Sequence, residues 1–289
     1  MVARASFRTR LGSWIEHARS AAERAERLRG RHAFVDLGMA VAERDFSIGG
    51  GLLAGALAYR LFVLLLPTAL LLVSALGLYA DASNESTSKA AKDAGLHGLI
   101  ASQVASSASS RAAWIIFLLT LPALAYALAK LYRAVAVTHA IAWHGSGRGV
   151  RTTWQGVLVL GLALVLTLLS AELAGWARRS SGVGGVAVLA AYLAIVGMAW
   201  LFVSMKLPHG DVTWHALLPG AFLVGVGLLS VNAFNVYVTA RMVDNQANTY
   251  GALGIAAALL FSLVLVGRVV VVSAELSASL AERSKSRRP

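Results

Sequence analysis

Residues 48–79 read IGGGLLAGALAYRLFVLLLPTALLLVSALGLY, and in that stretch Arg60 is the one charged residue and Pro67 the one proline. Crossing about 30 Å of hydrocarbon takes around 20 apolar residues in a helix, and lipid leaves the backbone a choice of helix or closed barrel. A long unbroken apolar run selects helix. Working outward, five further runs of the same kind predict spans at 112–142, 154–176, 183–205, 214–240 and 250–272.

The fold class is therefore all-α, a polytopic membrane protein with a six-transmembrane-helix bundle and an amphipathic N-terminal helix. Residues 46–276 form the membrane domain, 81–111 an outer connection, 1–45 a basic N-terminal tail and 277–289 a basic C-terminal tail. Trp114, Trp143, Trp154, Trp176, Trp214 and Tyr250 fall near the ends of these spans. A ring with one polar edge is most stable there.

Composition agrees. Hydrophobic residues make up 57% of the 289 residues and charged residues 14%, against roughly 25% charge in an ordinary soluble domain. The formal charge of +12 is concentrated at the ends, with nine arginines in the first 44 residues and four basic residues in the last seven. That placement suits tails against an anionic leaflet rather than a nucleic-acid surface. The chain has no cysteine, which excludes a thiolate metal site and a cysteine nucleophile. Charge at short intervals over the first 30 residues argues against a cleavable signal peptide.

Lys and Arg in the connections set the orientation. With the N-terminal tail cytoplasmic, Arg148 and Arg151, the turn 206–213 and the C-terminal tail share its side. The connection 81–111, Arg178-Arg179 and the loop 241–249 then lie outside, Arg178-Arg179 being a local violation. A short helix is expected around 91–106, because a structureless connection of that length is uncommon. Trp14 to Arg29 has helix-compatible spacing, and Phe34, Leu37 and Val41 form an apolar stripe expected on the inner membrane surface before the chain turns in at 45–51.

Three ordered motifs carry a resemblance. They are Ala58-Tyr59 followed by Leu65-Leu66-Pro67; Leu207-Pro208 followed by Val212-Thr213-Trp214-His215-Ala216-Leu217-Leu218-Pro219-Gly220-Ala221; and Tyr250-Gly251-Ala252-Leu253-Gly254 followed by an apolar helix to Ser273-Ala274-Glu275-Leu276. Together they resemble the YihY/BrkB family over about 35–281, with departures at Arg60 and Leu64. The resemblance implies a six-helix bacterial inner-membrane protein. Some members are labelled ribonuclease BN, yet RNA hydrolysis needs water-exposed acid–base groups or a metal cluster. The histidines at 17, 32, 97, 139, 144, 209 and 215 form neither His-x-His nor His-Glu-x-x-His, and no glycine run carries the Lys-Ser/Thr of a phosphate loop. The reading is thus non-enzymatic, with no cofactor, no metal and no nucleic-acid partner.

Arg60 falls near mid-bilayer, where an arginine costs at least about 2.5–3.5 kcal/mol. It either ties helices together through protein acceptors or lines a wet cavity. Lys130 and Arg133 are three apart on one helix face, and Arg268 lies at similar depth in the sixth span. Either these three snorkel to the inner headgroups, or they join Arg60 around a cytoplasm-facing cationic cavity for an anionic headgroup or solute. Glu275, seven residues after Arg268, is the candidate counter-ion for Arg60 or Lys130. Glu172 with Arg178 and Arg179 reads as an interfacial ion pair or an outer gate. Asn232, Asn235, Gly225, Gly227 and the Gly51-x-x-x-Gly55 pair suit helix packing, Pro67 is expected to kink the first span, and Pro219-Gly220 to loosen the fifth. The functional expectation is a transporter or flippase of an anionic lipid or amphiphile, with membrane lipids as partners; the alternative is a non-transporting envelope scaffold.

Overall fold

The computed structural model describes residues 33–82, 110–179, 182–210, 212–239 and 252–286. Among them regular structure is entirely helical: α1 Ala33–Ile48, α2 Gly50–Ala82, α3 Ser110–His144, α4 Trp154–Arg179, α5 Val183–Lys206, a 3-10 turn Trp214–Leu217, α6 Leu218–Phe234, a π-turn Asn235–Thr239 and α7 Ala252–Ser286. The expected helices at 14–29 and 91–106, and Tyr250, lie outside the described residues.

Five stretches are long and apolar enough to cross a bilayer: Gly50–Ala75, Trp114–Trp143, Val183–Lys206, Trp214–Tyr237 and Ala256–Lys285. The expectation was six. The remaining candidate, α4, is 26 residues long, but its described apolar stretch is the shorter Trp154–Ser170. Large apolar side chains stand on the outside, among them Leu66, Leu119, Leu169, Val186 and Phe222. Such a surface is a liability in water and the ordinary condition in lipid.

α7 is the central element. It packs along α2 and α6 and also touches α1 and α3, while α2 pairs with α3, α4 with α5, and α5 with α6. Lipid tails are as apolar as leucine, so close backbone approach must hold the helices together. Glycine provides it: a Cβ on Gly267 would lie 2.5 Å from the Ala54 carbonyl oxygen, and one on Gly227 would lie 2.6 Å from the Val269 side chain. Gly220 faces the Ser273 carbonyl in the same way, and its N–H donates to Ser277 Oγ at 3.1 Å. Gly51 and Gly55 meet nothing within 4 Å, so that pair brings no helix close.

Two prolines, an asparagine and a glycine shape these helices locally. α2 continues through Pro67, with the Thr68 hydroxyl donating to the Leu64 carbonyl at 2.8 Å. Pro219 sits in the first turn of α6, where its missing N–H costs no hydrogen bond, so the Pro-Gly pair opens the helix and seats it against α7. Ser262 donates to Asn235 Oδ1 at 2.7 Å, the interhelical bond expected in that region. Gly49, at φ +69°, supplies the left-handed residue that divides α1 from α2.

The two ends of the described chain lock together. Arg44 binds Glu282 through two N–H···O bonds of 2.9 and 2.8 Å and donates to the Ala142 carbonyl at 3.0 Å. Arg283 pairs with Asp36 at 2.9 Å. α1 thus packs on protein as well as facing outward. α7 runs fourteen residues past the apolar limit at 272, because Ser273, Ala274, Ser277, Ala278 and Ala281 are buried against neighbouring helices. Beyond the apolar limit the helix continues through residues that protein buries as far as Ala281, and its last turn, with Glu282, Ser284 and Lys285, is exposed.

Candidate anion-binding site

Two helix faces meet to form the site. Leu53, Ala56, Leu57 and Arg60 follow the three-and-four spacing that places them on one side of α2, and Lys130, Arg133, Ala134, Val137 and Thr138 do the same on α3. They line a half-open cavity of ≈ 320 Å³, which falls in the size range of small-molecule pockets. Alanines at 56 and 134 leave the room, and the three cations supply the polarity.

Depth follows from helix rise. Arg60 stands ten residues inside the start of α2, about 15 Å along the axis, which is half the hydrocarbon thickness. Arg133 stands eleven residues before the end of α3, at comparable depth. Arg60 and Lys130 are half-buried and Arg133 is exposed.

Among the described residues no carboxylate lines this cavity. Two of the three cations find aromatic faces instead. The Arg60 guanidinium lies 5.7 Å from the Tyr59 ring centroid, and Lys130 Nζ lies 5.0 Å from that of Tyr126. Both rings are more than half exposed. A ring face attracts a cation without neutralising it. The site therefore gathers three positive charges around one half-open space on helices apolar enough to cross a membrane.

Arg268 is placed elsewhere. Its guanidinium makes a two-pronged pair with Asp45 of α1, at 2.7 and 3.0 Å, and it is not among the residues lining the cavity. Glu275 is fully buried with neither carboxylate oxygen hydrogen-bonded. It lies by Gly50 near Asp45, at the junction of α1, α2 and α7, and does not line the cavity with Arg60 and Lys130. Arg60, Lys130 and Arg133 thus come together, while Arg268 and Glu275 form a second cluster with Asp45. The side chains of Glu172, Arg178 and Arg179 lie outside the described part of the structure.

Three residues were missed by sequence reasoning. Tyr126 had a legible signal, since it stands four residues before Lys130 on the same helix face. Tyr59 adjoins Arg60 in sequence, a spacing that by itself predicts no contact. Asp45 is 223 residues from Arg268, and nothing local links them.

A family model described as virulence factor BrkB matches residues 48–289. No curated protein and no solved structure matches the chain.

Proposed function

The chain belongs to the virulence factor BrkB family, and from that premise we propose that it is a bacterial inner-membrane protein that carries the anionic headgroup of a lipid or amphiphile through the cavity between α2 and α3. The observation that supports this is the gathering of Arg60, Lys130 and Arg133 around one space with no carboxylate in its lining. Cations placed only to tie helices together would be expected to face protein acceptors, as Arg268 faces Asp45. Uncompensated charge at membrane depth is costly, and an anionic ligand offsets that cost. A space of this volume suits a headgroup rather than a whole lipid, so the acyl chains would remain in the bilayer.

The same reading has α4 cross the membrane as a sixth span, because 26 residues extend about 39 Å at helical rise. It keeps both termini cytoplasmic, on the strength of the basic tails. It assigns no catalytic step, cofactor or nucleic-acid partner.

The test is reconstitution in vesicles containing a labelled anionic phospholipid or, as control, a labelled zwitterionic one. Wild-type protein should speed movement of the anionic lipid between leaflets. Loss of a charge-assisted hydrogen bond, worth about 1.5–3 kcal/mol, should slow Arg60→Ala roughly tenfold or more. A folded Arg60→Ala protein that moves the lipid as fast as wild type sinks the role of Arg60. Vesicles with wild-type protein that behave like empty ones favour the scaffold reading.

A further inference from the structure

The second cluster, at the junction of α1 and α7, has an excess of acid. Its guanidinium groups are committed: Arg268 takes both oxygens of Asp45, and Arg44 takes both oxygens of Glu282. Glu275 is the third carboxyl beside two arginines. It is fully buried, and neither of its oxygens has a hydrogen-bond partner. Gly50 leaves nothing between the acids, since a Cβ there would run into the Asp45 carboxylate and lie 3.1 Å from Glu275 Oε1. The charged groups acting on Glu275 are Asp45 and Arg44 from α1 and Arg268 from α7 itself. The 3-10 turn that packs on α7 carries His215, which is stacked on Trp214 at 3.6 Å.

Two ionised carboxylates cannot bond to one another, for each only accepts. Each Asp45 oxygen keeps a lone pair after binding Arg268, so one donor on Glu275 would satisfy both acids and balance the cluster at two positive and two negative charges. A buried charge without a partner is neutralised before it is tolerated. We propose that Glu275 and Asp45 form a proton-binding site, in which Glu275 carries one proton taken from water and donates it in a hydrogen bond to Asp45. Release of that proton to water leaves two carboxylates competing for Arg268 and weakens the hold of α1 on α7. The site is separate from the cationic cavity, and its test measures no movement of lipid.

Infrared spectroscopy of the full chain in nanodiscs reads the proton directly. At neutral pH the wild-type protein should show a carboxylic-acid C=O band that shifts with 13C-glutamate and not with 13C-aspartate labelling, and that vanishes in Glu275→Gln. Asp45→Asn should lose it too, because Arg268 is then free to pair with an ionised Glu275. Absence of a glutamic-acid band from wild-type protein overturns the proposal, and so does its persistence in folded protein of either variant. If Glu275→Gln does not fold, Asp45→Asn decides between these results.

Discussion

At the scale of residues, two arginines that the sequence reading places inside membrane spans have opposite surroundings. Arg268 is held by a carboxylate, whereas Arg60 has an aromatic face and open space. Removing one partner of a largely buried pair leaves the other charge stranded, at about 3–5 kcal/mol when burial is complete. The Arg268 side chain is 37% exposed, so Arg268→Ala is expected to cost less, about 1–3 kcal/mol after allowance for screening. Thermal unfolding in detergent checks it; Glu282→Ala, at an exposed partner of Arg44, should shift the same transition by only about 0–1 kcal/mol. A milder change is expected at Tyr132, whose buried hydroxyl donates to the Lys206 carbonyl at 2.9 Å. Tyr132→Phe should lower stability by about 0.5–1.5 kcal/mol in the same assay.

At the scale of elements, glycines act by where they meet a neighbouring backbone rather than by motif. Gly51 and Gly55 have the spacing of a helix-pairing motif and no neighbour, while Gly267, outside any such motif, touches the Ala54 carbonyl. Gly267→Ala must push α2 and α7 apart and should cost about 1–3 kcal/mol, as overpacking does. Gly55→Ala adds a methyl group to open space and should be neutral or stabilising by up to about 1 kcal/mol through helix propensity. Thermal unfolding of the two variants side by side separates them, and equal shifts would contradict the packing. The spacing of Lys130 and Arg133, and of Tyr126 before them, was legible because a helix fixes which residues share a face. Which helix that face would meet was not.

At the scale of the whole molecule, the number of crossings and the sidedness make one prediction. The native chain has no cysteine, so single substitutions report accessibility without a background. Ser47, Thr152 and Val183 are exposed. Ser47→Cys and Thr152→Cys should react with a membrane-impermeant thiol reagent only from the cytoplasmic side, and Val183→Cys only from the other. Reaction of Thr152→Cys and Val183→Cys from the same side would remove α4 from the set of crossing helices.

The sequence by itself determined that the chain is helical and built for lipid, because apolar runs of this length admit no other satisfied backbone. It also put the cations at positions 60, 130, 133 and 268 on helical segments, since that is a property of one segment at a time. Only the tertiary structure decided that three of those cations share a cavity while the fourth joins Asp45, and that Glu275 lies buried beside that pair. Ion pairing depends on distance in space, and contacts between residues 45 and 268 or 44 and 282 leave no trace in local composition. The helix α7 runs beyond residue 272 for the same reason: hydropathy measures preference for lipid, and the turns through Ala281 are buried against protein.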